Sequence, residues 1–329
     1  MLKSFITFIA IAVLFVIDVS SSIAQHSFNL TTAKPAKLVS GLGNVHHPVS
    51  TANPEAQKFF DQGLAYIYAF NHDEAVRSFE RAAELDPDLA MAWWGKALSL
   101  GPNINLDVDS AKERAAYEAI QQALLLAPRA PENERDYIQA LAKRYSTAPN
   151  VDLKKLAVDY KNGMNELVKE YPDDLDLATL YAEGMMDLRP WALWGLDGKP
   201  AEGTVEIIAV LESVLKRNPN HTGANHYYVH AVEASPTPER ALVSAERLRH
   251  LHRLPDILST CRHISSCERE IMKELFKQMN QVQTPMKNIS KPLMHRAFIQ
   301  CIMLIMCTSS PSLPLCRDDQ VMQSKLLSV

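Results

Sequence analysis

Seven residues between Phe59 and Pro87 stand at the positions of one helix–turn–helix repeat: Phe59, Gly63, Tyr66, Ala75, Phe79, Ala82 and Pro87. The repeat in question is about 34 residues long and buries an apolar face only against copies of itself. Each position has a physical reason. Gly63 and Ala75 are small where two helices cross most closely. Tyr66 and Phe79 fill the space between them. Asp86-Pro87 ends the second helix, because a residue before proline avoids the helical region. One such unit is not a domain, so more must follow.

They follow with looser spacing. A second unit opens at Trp93 and Ala97 and closes with Ala116, Ala123 and Pro128, and its surplus length sits in the turn at Gly101-Pro102-Asn103. A third runs from about Glu132 to Pro172, with Tyr137 and Leu141 on one helix and Tyr160 and Leu167 on the other. The fourth spans about Asp176 to Pro219 around a long loop from Arg189 to Thr204, and the fifth His221 to about Leu251. No strand-like alternation competes in this stretch. The expectation is an all-α solenoid of five antiparallel helix pairs over 53–251, wound as a right-handed superhelix. The Arg189–Thr204 loop carries Trp191 and Trp194 and is expected to be ordered, with one tryptophan packed on the first helix of the fourth or fifth unit.

The chain begins differently. Lys3, the apolar run from Phe5 to Val16 and the small residues at Ser22-Ile23-Ala24 read as a signal peptide over 1–24. Its apolar run, about 12 residues, is short for a ~30 Å bilayer. An irregular lead-in is expected over 25–52, where Lys34-Pro35 and Gly41-Leu42-Gly43 break any helix. The implied localisation is exported, periplasmic or extracellular, with no membrane association after signal cleavage. A net charge of −4 gives no basic face for nucleic acid. All five cysteines (Cys261, Cys267, Cys301, Cys307 and Cys316) lie in the last quarter without paired spacing, which fits neither a disulfide framework nor a zinc site.

From about Leu251 the helical periodicity fades. Ordinary codons for His252 onward, read one frame over, permit PASGHFKYMPSHIKLRAGDYERALQTNE, which has the turn and helix start of another repeat. The tail 252–329 is therefore read as out of frame, poorly ordered, and not built to pack on the repeats.

Taken together, the Phe59–Pro87 pattern resembles a tetratricopeptide (TPR) repeat. Three further stretches resemble a group of bacterial exported TPR proteins. They are Ala90–Gly95 (AMAWWG), Pro190–Trp194 with Asp197–Pro200 (PWALW, DGKP), and Asn218–Ala234 (NPNHTGANHYYVHAVEA). The resemblance covers roughly Val45 to Leu251 and implies fold rather than activity. In this fold the first helix of each pair lines a concave groove. Its lining would be Phe60, Leu64, Ile67 and Tyr68, then Met91, Trp94 and Leu98, then Arg135 and Gln139. Glu183, Met186 and Asp187 would follow, and last His226, His230 and Glu233. Such a groove is apolar at one end and acidic and histidine-rich at the other, which suits a protein or peptide partner with an apolar anchor.

The histidines carry a second expectation. His226 and His230 are four apart and Glu233 three further, so the three share a helix face and have the donor types of a zinc, copper or iron site. Beyond that metal no cofactor is implied. There is no nucleophile elbow, phosphate loop or dinucleotide fingerprint, and the expectation is a non-enzymatic binding scaffold.

Overall fold

The computed structural model describes residues 36–105, 110–195 and 197–251. The expected signal peptide, the start of the lead-in and the tail after 251 lie outside the described residues. The described chain folds as an all-α, TPR-like solenoid. Its helices are α1 (Pro54–Tyr68), α2 (His72–Leu85), α3 (Ala90–Leu100), α4 (Ser110–Leu126) and α5 (Glu132–Ala142). They continue with α6 (Leu153–Glu170), α7 (Leu175–Met186), α8 (Thr204–Arg217), α9 (Thr222–Val232) and α10 (Leu242–Leu251). Among the described residues there is no strand; isolated bridge residues stand at Leu42 and Asn103, and Trp194 bridges Pro200. No described helix is long and apolar enough to cross a membrane.

The boundaries follow from short-range chemistry. Asn53, with Pro54 behind it, accepts from the Glu55 and Ala56 amides at the start of α1. Asn71, Asp152, Asp174 and the His221 ring cap α2, α6, α7 and α9 in the same way. Asp86, Tyr171 and Asn218 leave the helical region one residue before a proline, which stops α2, α6 and α8. The lead-in from 36 to 53 contains no helix.

Packing within the first units turns on one ring. Phe79 of α2 is wholly buried, and a Cβ added to Gly63 of α1 would stand 2.7 Å from it. Gly95 of α3 meets the same ring, where an added Cβ would stand 2.3 Å from it, and is as intolerant of a side chain. Two successive first helices thus press their backbones onto one aromatic face, which is why the repeat needs glycine there.

Helices pack on their sequence neighbours throughout, as stacked repeats do, and α1 also packs on α9. The C-terminal end of α1 meets the N-terminal half of α9, where a Cβ on Gly223 would lie 2.5 Å from the Tyr68 ring. The first and fifth units are therefore in direct contact. This corrects the groove expected above. Phe60, Leu64, Tyr68, Met91, Trp94 and Leu98 are all buried, the most exposed of them at 3%. They line no open channel, because neighbouring helices and the α1–α9 contact cover them. The apolar face predicted for these helices is real, and it is core.

Candidate functional site

Three polar groupings lie along α7, α9 and the segments packed on them. The first is centred on Asp176, in the first turn of α7. Its Oδ2 accepts from His47 Nδ1 at 2.9 Å, and its Oδ1 accepts from Tyr68 Oη and from His221 Nε2, the latter at 3.2 Å. His221 Nδ1 itself accepts from the Ala224 amide, so the proton of its neutral ring is on Nε2, facing Asp176. Four parts of the chain converge on one carboxylate: the lead-in, α1, α7 and the cap of α9. Burial opposes charge on Asp176, but the His221 and His47 bonds outweigh it and hold the carboxyl well below the usual range. Burial likewise pulls His47 down, and the Asp176 bond and charge raise it above 6.5 on balance.

His47, Asp174 and Asp176 offer ligand atoms within 4.8 Å of one another, the spacing of a metal site. Their hydrogen bonds argue against that use. Asp176 is saturated by His47, Tyr68 and His221, while Asp174 caps α7 through Leu177 N and accepts from Tyr137 Oη at 2.8 Å. The grouping works as a clasp.

The second grouping is Arg144, Glu183, Asp187 and Tyr160. Arg144 donates to Asp187 at 2.5 Å and to the Pro102 carbonyl at 2.9 Å, with both charged side chains almost fully buried. Its guanidinium also lies over the Tyr160 ring at 4.9 Å. Burial first, and then the Asp187 charge, push Glu183 well above the usual carboxylate range. Burial raises Asp187 as well, against the Arg144 charge and the hydrogen bonds from Glu183 and Arg144, which pull it down. Glu183 and Asp187, expected in the groove, are instead buried, with Asp187 paired to Arg144.

The third grouping surrounds Phe70, a non-glycine residue at φ 54° just after α1. Its ring centroid is 5.0 Å from that of His226 and 5.6 Å from that of His230. His226 Nδ1 bonds the Tyr68 carbonyl at 2.6 Å, His230 Nδ1 bonds Glu233 at 3.0 Å, and the two Nε2 atoms are 3.2 Å apart. The sequence placed His226, His230 and Glu233 on one face as three metal ligands. The structure keeps the face but moves Glu233 to the outer nitrogen of His230, so the three do not converge on one point.

Of the remaining expected groove residues, Arg135 is half-buried and spends Nη1 on the Ala130 carbonyl at 2.7 Å, and Gln139 is exposed on α5. Beside the third grouping runs the Arg189–Thr204 loop. Trp194 donates its indole N–H to the Ala231 carbonyl of α9 at 2.8 Å, which meets the expectation of a tryptophan packed on the fifth unit. Cross-loop bonds from Ala201 N to Leu193 O and from Gly195 N to Lys199 O hold its path. Trp191 is 53% exposed and stands edge-on to His230 at 6.2 Å. Its φ of 58° is left-handed, a backbone state disfavoured for a bulky residue.

A model of the tetratricopeptide repeat family matches residues 56–89, which coincide with α1, α2 and the following turn. The chain is thus a TPR-containing protein, and repeats of this kind generally mediate contacts between proteins. No curated protein matches the chain.

Proposed function

We propose that this chain is an exported, non-catalytic TPR scaffold, bacterial in origin, that holds a protein or peptide partner at the rim of its inner face. One observation supports the location. Trp191 is a large, half-exposed aromatic kept in a disfavoured backbone conformation by an ordered loop. Strain of that kind persists where surrounding structure over-determines it, and exposed tryptophans are the residues most enriched at binding hot spots. The contact thus moves from the buried groove residues to the Trp191 edge. Export rests on the leader-like pattern of residues 1–24.

The test is capture from a bacterial envelope extract with immobilised protein. A saturable partner retained by the parent and lost by Trp191→Ala, at an unchanged melting temperature, is the expected result. Equal retention by the variant, or no saturable partner, overturns the reading.

A second reading is favoured by the third grouping: a metal- or metallocofactor-binding repeat protein using His226 and His230. The 3.2 Å approach of their Nε2 atoms supports it.

A further inference from the structure

The lead-in from 37 to 51 has the form of a peptide bound to its own fold. It contains no helix, and along it only Leu42 and His47 are buried. What holds it is a set of side chains from helices far apart in the chain. Gln62 of α1 accepts from the Val39 amide at 2.8 Å and donates to the Lys37 carbonyl at 3.0 Å. Gln57 does the same for the Val49 amide and the His47 carbonyl, at 3.0 and 2.8 Å. Asp61 accepts from the His47 amide at 3.1 Å and from the His46 ring at 2.8 Å. Glu134 of α5 accepts from the Ser50 amide and, at 2.6 Å, from the Ser50 hydroxyl. Main-chain bonds of this kind grip an extended segment, and pockets for its side chains give specificity.

One such pocket is present. The His47 ring enters between Phe60 of α1 and Tyr137 of α5, with centroids 6.1 and 5.6 Å away, and its Nδ1 donates to Asp176 of α7 at 2.9 Å. The receiving side chains are also held by bonds of their own. Gln57 bonds Asp61 at 2.9 Å, Gln62 bonds Ser78 at 3.1 Å, and Asp176 keeps Tyr68 and His221. Their arrangement therefore does not depend on the lead-in, which is preorganisation. Ionised carboxylates only accept, so an occupant of this face must donate, through imidazole, hydroxyl and backbone N–H groups. With little apolar surface buried, the lead-in belongs to the low-stability end of the fold and can leave without global unfolding.

We propose that the face made by α1, α5 and α7 binds an extended, donor-rich segment of a partner protein, one imidazole followed by hydroxyl residues, and that residues 37–51 are its built-in competitor. The lead-in closes the site until the partner's segment takes the His47 pocket and the Asp61 and Glu134 acceptors. The proposal uses none of the contacts at Trp191 and does not rest on the reading above.

The experiment uses the full chain and a fluorescein-labelled peptide of residues 45–52, VHHPVSTA, followed by anisotropy. In the parent the lead-in competes, and a site open about a tenth of the time or less has its apparent affinity weakened ~10-fold or more. His47→Ala frees the pocket, so the peptide should bind this variant at least ~10-fold more tightly than the parent. Ser50→Pro removes the amide that Glu134 accepts from and should act in the same direction, and it carries the test if His47→Ala fails to fold. A peptide with alanine at the His47 position should bind neither variant. Glu134→Gln, added to either one, should weaken binding of the unaltered peptide about 10-fold. These affinities are read without any envelope partner, so their failure leaves the Trp191 reading standing. Equal affinity for the parent and both opened variants overturns the built-in competitor. No saturable binding by the folded variants overturns the site, and so does binding that ignores both the peptide's histidine and Glu134.

Discussion

Helix α1 makes two contacts of opposite chemistry. Along its middle, Gly63 receives the Phe79 ring, and Gly95 of the next unit meets the same ring in a buried, aromatic interlock. At its C-terminal end, Tyr68 bonds Asp176, the Tyr68 carbonyl bonds His226, and His47 and His221 share the Asp176 carboxylate. The first contact joins neighbouring units and is the one every stacked repeat must make. The second joins the first unit to the fourth and fifth and depends on charge. The interlock should therefore dominate stability at all pH values, and the clasp should matter only while its groups hold the right protons.

The largest effect belongs to the interlock. Phe79→Ala should cost about 3–5 kcal/mol, because both flanking glycines are too short to fill the cavity. Gly63→Leu, the reverse error, should cost about 1–3 kcal/mol or more through overpacking. Denaturant unfolding checks both, and a near-neutral result for either would mean that the helix register is wrong.

The clasp comes next, with a pH signature. His47 has a raised pKa, so its contribution is complete below about pH 6.5 and fades as the pH rises through the folded value. Asp176 is depressed, so its contribution is complete above about pH 4 and is lost as the pH falls through its folded value. The loss of stability in His47→Gln, about 1–3 kcal/mol, should be greatest between those limits and shrink as the pH rises through the folded value of His47. A difference independent of pH would show that Asp176 does not hold His47.

The smallest effect is expected at Arg129–Asp88, a 2.5 Å ion pair with both side chains about 70% exposed. Solvent screening leaves such pairs little to contribute. Arg129→Ala should not shift the melting temperature measurably, and a clear shift would mean that this surface is covered.

The same division separates what could be read in the chain from what could not. The five helix pairs were legible because caps, X-Pro stops and Gly–aromatic spacings are local signals, and Asn53, Asp86-Pro87 and Asn218-Pro219 act where they stand. The fate of the inner face was not legible. Periodicity marks Phe60, Tyr68 and Trp94 as one apolar face, but not whether solvent, a partner or another unit covers it. The cover arises from contacts such as His226 to Tyr68, 158 residues apart, which no local pattern encodes. The His226–His230 spacing was visible, yet the turn of Glu233 to the outer nitrogen depends on side-chain rotation. His47 gave no signal beyond its neighbours His46 and Pro48, and Asp176 none beyond an acidic first turn.

The central claim is that the first unit closes on the fourth and fifth through Tyr68 and Asp176, residues 108 apart in the chain. A double-mutant cycle of Tyr68→Phe and Asp176→Asn measures it directly, by unfolding free energies near pH 6. Closure predicts a coupling of about 1 kcal/mol or more, within the ~0.5–3 kcal/mol range of contacting pairs. Effects that add to within ~0.3–0.5 kcal/mol, as for independent sites, would contradict it.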